Sequence, residues 1–224
     1  MKINILQLLD GAKQAKGITV IIDVFRAFSL EAYLISQNAK LIIPVASQQL
    51  AYDYKEKDPS ILLIGEREGK ILPGFDFGNS PSQVEGMDFS DKVIVHTTSA
   101  GTQGLTSASQ ADEILTGSFV NAKAIADYIK SKNPEEVSLV CMGWMASTPT
   151  QEDTMCAQYI KSLIEGKEYT LDFDLLKQTS GAKFFDPCQQ DVFPQRDFDL
   201  CTRVNVFDFV LKYENGKIIK IGRV

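Results

Sequence analysis

Asp23 and Arg26 stand where the apolar run 18–24 gives way to a turn, a carboxylate and a guanidinium three residues apart. A carboxylate there can hold a hard cation, and an arginine can clamp phosphate with two parallel donors. Glu66 and Arg67 repeat the pairing after the apolar run 61–64, although adjacent side chains of this kind read equally well as a solvated ion pair. Thr97-Thr98-Ser99-Ala100-Gly101-Thr102 follows the run 93–97 with hydroxyls, a glycine and a helix start. Free backbone N–H groups and a helix dipole at such a turn meet a phosphate, and a hydroxyl-rich helix cap has the same composition. Gly117-Ser118-Phe119-Val120-Asn121 is a second polar turn, and Glu152-Asp153 opens a helix, where the macrodipole favours acids in any case. The chemistry these residues suggest is hydrolysis of an acidic phosphate ester assisted by a divalent cation.

The elements that must position these groups alternate. Apolar, β-branched runs at 3–6, 18–24, 40–44, 61–64, 93–97, 113–115 and 137–141 predict strands. Between most of them lies helical periodicity: Leu30, Tyr33 and Leu34 within 29–38, Ile125, Tyr128 and Ile129 within 121–132, and Cys156, Ile160, Leu163 and Ile164 within 152–165, stopped by Gly166. The alternation predicts βαβ units and a largely parallel α/β sheet. Segments 206–213 and 217–221 around Asn215-Gly216 predict a C-terminal β-hairpin, so the sheet is expected to be mixed. In such sheets ligands bind beyond the carboxyl ends of the strands, so the polar clusters should share one crevice. The irregular segment 70–81, with Asp76, Asn79 and Ser80 among aromatics, is expected to be a binding loop over it. His96, the single histidine, lies inside a strand and is expected to be packed rather than catalytic.

The 224 residues are expected to form one domain spanning 1–224. Lys and Arg total 23 against 29 Asp and Glu, a net charge of −6, which argues against a nucleic-acid partner. No apolar run approaches the length of a membrane span and the first ten residues are too polar for a secretory signal, so a cytoplasmic protein without membrane partner is expected. A homodimer is compatible with this composition. Cys141, Cys156, Cys188 and Cys201 include no C-x-x-C pair and are expected to be reduced thiols.

Absences narrow the mechanism. There is no G-x-x-x-x-G-K-[ST] loop, no cysteine with an arginine six residues later, no G-x-S-x-G, and one histidine cannot support a multi-histidine centre. The Asp-x-Asp pattern of haloacid-dehalogenase phosphatases fails at Phe25. Without nitrogen or sulfur ligands suited to zinc, the acids Asp23, Glu66, Glu152 and Asp153 suit Mg²⁺.

The segments Ile22-Asp23-Val24-Phe25-Arg26-Ala27, Gly65-Glu66-Arg67, Gly74-Phe75-Asp76-Phe77-Gly78-Asn79-Ser80-Pro81, Thr97 to Thr102, Gly117 to Ala122 and Glu152-Asp153-Thr154-Met155-Cys156-Ala157 together resemble the 2-phosphosulfolactate phosphatases, known in coenzyme M biosynthesis. Where that family usually carries Thr-Asn and a glycine, this chain has Ser99-Ala100 and Glu68. The resemblance implies a three-layer α/β/α fold and a Mg²⁺-dependent phosphatase for phosphorylated 2-hydroxy acids. On this reading Mg²⁺ is held by Asp23, Glu66 and one or both of Glu152 and Asp153. Asp23, Arg26 and Arg67 act in catalysis, and Asp76, Asn79, Ser80, Thr97, Thr98, Ser99, Gly101, Thr102, Ser118 and Asn121 bind the substrate. Arg26, Arg67 and the two polar turns offer more donors than one phosphate can use, which predicts a second anionic group on the substrate. The competing reading is a non-catalytic binder of a small dianion, to which buried carboxylates would bring nothing.

Overall fold

The computed structural model describes residues 1–222. The chain runs β1 (Lys2–Gln7), α1 (Leu8–Gln14), β2 (Gly17–Ile22), α2 (Ala27–Ser36), β3 (Leu41–Pro44), α3 (Gln48–Lys57), β4 (Leu62–Arg67), β5 (Lys70–Ile71), α4 (Pro81–Val84), β6 (Val93–Thr97) and α5 (Gly101–Ser107). It continues through β7 (Ala111–Gly117), α6 (Ala122–Lys132), β8 (Glu136–Cys141), α7 (Gln151–Glu165), α8 (Phe173–Gln178), α9 (Gln195–Cys201), β9 (Val210–Glu214) and β10 (Lys217–Ile221). Single 3₁₀ turns cover Phe119–Asn121, Ala182–Phe185 and Pro187–Gln189.

Among the described residues the strands form one mixed sheet in the order β1-β8-β2-β7-β9-β10-β3-β6-β4-β5. Two parallel blocks, β1-β8-β2-β7 and β3-β6-β4, are joined by the β9–β10 hairpin, which lies in the middle of the sheet and pairs antiparallel with β7 and β3. Three antiparallel steps separate the blocks, so they run in opposite directions. Loops at the carboxyl ends of the two blocks nonetheless meet: the Gly101 amide after β6 donates to Asp23 after β2.

Alternation along each strand sends side chains to two faces, as the strand pleat requires. Ile21, Ile42, Ile64, Ile94, Val140, Leu211 and Ile218 pack with Leu30 and Leu34 of α2 in a core that both blocks share. On the opposite face Ile18, Val20, Ile22, Val137 and Leu139 pack against Ile125, Ile129 and Ile160 of α6 and α7, while Leu63 and Val95 pack with Ala51 of α3. Helices therefore cover both faces, the α/β/α layering expected. α7 ends on Gly166 at φ 67°, and the hairpin turns on Asn215 and Gly216 at φ 51° and 75°, the left-handed pair such a turn needs. No helix among the described residues is long and apolar enough to cross a membrane.

Each expected strand is present, but β2 stops at Ile22, short of the expected 24, and two further shifts occur. Segment 206–209 precedes β9 rather than extending it, and β4 runs on through Gly65-Glu66-Arg67 because β5 pairs with Glu66 and Arg67. His96 is fully buried, with Nδ1 2.9 Å from Glu31 Oε1, and is packed as its strand position suggested.

Candidate active site

Four carboxylates gather where β2, β4 and the start of α7 meet, and none is more than 6% exposed: Asp23, Glu66, Glu152 and Asp153. Backbone amides hold three of them. Asp23 follows β2; its Oδ1 accepts from Ala27 N (3.1 Å) and its Oδ2 from Gly101 N (2.9 Å). Glu66 accepts from Ser99 N (2.7 Å) and Ser99 Oγ (3.2 Å), and from Gly69 N (2.6 Å). Asp153 accepts from Val24 N (2.9 Å) and Gly143 N (2.8 Å), tying α7 to the turns after β2 and β8. Glu152 differs: its Oε2 is buried and has no hydrogen-bond partner.

Burial away from water raises the proton affinity of Asp23, Glu152 and Asp153. Burial pushes Asp23 up to about 6; the Ala27 and Gly101 amides pull it back, and Glu66 and Glu152 push it further. Asp153 is raised well above the usual carboxylate range by burial, then by Glu152 and Asp23. Glu152 is raised by burial, against which the Ser180 hydroxyl and the Lys183 ammonium act.

Asp23, Glu66, Asn79, Ser99 and Ala100 line a narrow cleft, bordered also by Trp144 and Phe193. Asn79 is buried with its Oδ1 unpartnered.

Several residues expected to meet the substrate are used otherwise. Arg26 borders the cleft, but its Nη1 donates to Asp197 Oδ2 (2.7 Å) and Val192 O (2.8 Å) and its Nη2 to Gly69 O (3.1 Å), so the guanidinium is tied inside the protein. Ser80 donates to the other oxygen of the same Asp197 at 2.9 Å. Glu66 and Arg67 are consecutive on β4 and so point to opposite sides; Arg67 does not line the cleft but donates to the carbonyls of Glu66 and Ala46 and to Thr97 Oγ1. No ion pair joins it to Glu66 among the described residues. The Thr97–Thr102 turn offers few free amides: Ser99 and Gly101 serve Glu66 and Asp23, while Thr98 and Thr102 exchange amide-to-hydroxyl bonds of 3.1 and 3.3 Å. The turn orients acids rather than cradling an anion. Ser118 and Asn121 close their own turn, Ser118 N donating to Asn121 Oδ1, and lie outside the cleft. Asp76 also lies outside it, accepting from Leu63 N (2.8 Å) and Lys55 Nζ (3.2 Å). The argument from surplus donors thus loses its basis, since most of those donors are satisfied within the fold.

Three contributors carry no motif in the sequence. Asp197 in the first turn of α9 reads as an ordinary helix-start acid, yet it is fully buried under Arg26. Trp144 follows β8, as a strand-end residue should, but lies in a stretch with no polar signature. Lys183 belongs to the turn Ala182–Phe185, and only three-dimensional proximity places it beside the acids. Glu68, in the place where the family usually carries glycine, adopts φ 55°, the left-handed conformation glycine takes without strain.

An α/β sheet with buried carboxylates converging on a small cleft at its strand ends defines an enzyme centre for a small charged substrate. The family follows from comparison with known proteins. Residues 3–216 match the family described as 2-phosphosulpholactate phosphatase. A Bacillus subtilis protein named as a probable 2-phosphosulfolactate phosphatase is 34% identical over 232 residues, covering 100% of this chain and 99% of its own. Proteins of the same name from Caldicellulosiruptor saccharolyticus and Thermoplasma volcanium are 34% and 29% identical, covering 90% and 96% of this chain and 91% and 98% of theirs. The chain belongs to the 2-phosphosulpholactate phosphatase family, and is a phosphatase for a phosphate monoester.

Proposed function

We propose that this protein hydrolyses 2-phosphosulfolactate, or a related phosphorylated 2-hydroxy acid, to the hydroxy acid and inorganic phosphate with the aid of Mg²⁺. The observation that carries this reading is the buried acid cluster, with three carboxyl groups raised in pKa and one oxygen, Glu152 Oε2, left without a partner. A phosphate dianion entering beside those carboxylates meets repulsion that only a cation of higher charge offsets.

The residues present fit such a cation. Among the described residues no three acids, cysteines or histidines stand in a ready-made cage. Mg²⁺ does not require one, since it keeps several waters and binds through one or two carboxylates plus substrate phosphate. Asp23 and Glu152, which sense each other's charge, are the residues that would hold it, with Glu66, which lines the cleft together with Asp23. When bound, the ion would neutralise phosphate oxygens and polarise the phosphorus centre. The protein's own part is positioning: amides fix Asp23, Glu66 and Asp153, and Trp144 and Phe193 give the cleft an apolar border. A pure anion binder would leave the Thr97–Thr102 amides free for its ligand, and here they are engaged by carboxylates.

Phosphate release is to be measured with 2-phosphosulfolactate, phospholactate, phosphoglycolate and glycerol phosphate, with Mg²⁺ or Mn²⁺ and after exhaustive chelation. Turnover of the phosphorylated hydroxy acids that stops on chelation and returns with metal is expected. Full activity after chelation would sink the metal assignment, and no turnover of any ester would sink the phosphatase reading.

A further inference from the structure

Lys183 is half-buried and lines a cavity that adjoins the acid-lined cleft, Trp144 and Phe193 lining both, yet no carboxylate lies within 4 Å of its Nζ among the described residues. Aromatic rings hold the ammonium instead. Its Nζ is 3.9 Å from the Trp144 ring centroid, 4.8 Å from that of Phe193 and 5.7 Å from that of Phe184. Trp144 and Phe193 also line the cleft that holds Asp23 and Glu66. A cation over aromatic faces is attracted to the rings while its N–H donors stay available to a ligand.

The other cations nearby are not available in this way. Arg26 is matched to Asp197, and Arg67 is turned to the other side of β4. Lys183 therefore keeps its donors free of any ion pair among the described residues, near enough to Glu152, Asp23 and Glu66 to sense their charge and on the cavity that adjoins the cleft. With phosphate and its cation held among the acids, as proposed above, the rest of the substrate would reach past Trp144 and Phe193 into the adjoining cavity that Lys183 lines. Burial depresses Lys183 to about 8, with Glu152, Asp23 and Glu66 acting to keep it charged.

We infer that Lys183, presented by Trp144 and Phe193, binds the anionic group of the substrate that is not phosphate, a sulfonate or carboxylate. This rests on the substrate reading proposed above and adds a residue that determines specificity. It also restores, from a different residue, the second-anion preference that Arg26 and the polar turns cannot supply.

The test is equilibrium binding by calorimetry of two probes, 3-sulfolactate and inorganic phosphate, to the full chain in Mg²⁺ buffer, for wild type, Lys183→Met and Lys183→Arg. Methionine keeps the length and packs on Trp144 without charge. Lys183→Met is expected to weaken sulfolactate binding by about tenfold or more, the loss typical of one charge-assisted hydrogen bond, and to change phosphate binding by less than about twofold. Lys183→Arg should retain most of the sulfolactate affinity. Equal weakening of both probes would place Lys183 at the phosphate, and no change in either would make it a packing residue; both results overturn the inference. Wild type that binds phosphate but not sulfolactate also overturns it, whereas absence of phosphate release by wild type counts against the phosphatase reading itself. Should Lys183→Met fail to fold, as its melting curve would show, Lys183→Gln gives the same comparison.

Discussion

Arg26 and Asp197 illustrate how a residue's type can mislead when its partner is remote. Both are almost fully buried, 2.7 Å apart and 171 positions apart in the chain, and Asp197 also accepts from Ser80 Oγ and Ser82 N. One carboxylate thus ties together the turn after β2, the segment before α4, and α9. Removing one partner of a buried pair leaves the other charge uncompensated, which typically costs about 3 to 5 kcal/mol. Asp197→Ala is therefore expected to lower unfolding stability by that order in urea titration; a loss under about 1 kcal/mol would show that Arg26 finds water or another acceptor. At this scale the acids were legible, because Asp23, Glu66, Glu152 and Asp153 sit at predicted strand and helix ends. The partners of Arg26 and Arg67 within the fold were not, since Asp197, Val192, Gly69, Ala46 and Thr97 are remote from them in sequence. Lys183 had no signal at all, being one lysine of many in a polar stretch.

The elements that bear the site are fixed by close approaches between turns. Gly101, the first residue of α5, packs against the turn that opens α2. A Cβ there would lie 2.8 Å from Asp23 Oδ2, 3.0 Å from Phe28 Cζ and 3.1 Å from Ala27 Cβ. The last two atoms belong to a packed helix start, so Asp23 is what must move, and its bond from the Gly101 amide stretches with it. Gly101→Ala is expected to reduce kcat/KM by about 100-fold, the penalty for misplacing a catalytic group by about 1 Å. The stability loss should stay within about 1 to 3 kcal/mol, as for overpacking elsewhere. Activity within threefold of wild type would mean that Asp23 does not need this position. The strands around these turns were readable because they are buried on both faces and β-branched throughout. Helices α1 and α3 were not: α1 has seven residues, and only Ala51 of α3 is buried, so neither carries an apolar stripe. The extension of β4 through Arg67 depends on pairing with the two-residue β5, which no local pattern announces, and that extension decides which of Glu66 and Arg67 faces the cleft.

The molecule as a whole carries a net charge of −6, and its most concentrated negative charge is the buried cluster. Asp23 is faced by Glu66 from β4, by Glu152 and Asp153 from α7, and by the cations Arg26 and Lys183. Its folded pKa is raised to about 6 from an ordinary value of 3.8. Below the ordinary value both folded and unfolded chains hold the proton, and the stabilising contribution is complete. As pH rises through about 6 the folded protein must give the proton up, and that contribution is lost. Glu152 and Asp153, raised in the same direction, add to the trend, while Lys183, lowered to about 8, works in the opposite sense only on the alkaline side. A cation bound to the ionised carboxylates reverses the loss. Metal-free protein should therefore melt at lower temperature at about pH 7.5 than at about pH 5. Mg²⁺ at about 100 times its dissociation constant should add about 2.7 kcal/mol at the higher pH, or about 5 to 10 °C in a chain of this size. At about pH 5 protons compete for the same oxygens and the Mg²⁺ shift should largely vanish. Asp23→Asn separates this from the titration of other acids, since it should flatten the pH trend and abolish most of the Mg²⁺ shift together. Scanning fluorimetry with and without Mg²⁺ at the two pH values reads all four melting temperatures, and an equal Mg²⁺ shift at both, or none at either, would show that the cluster is not where the cation binds.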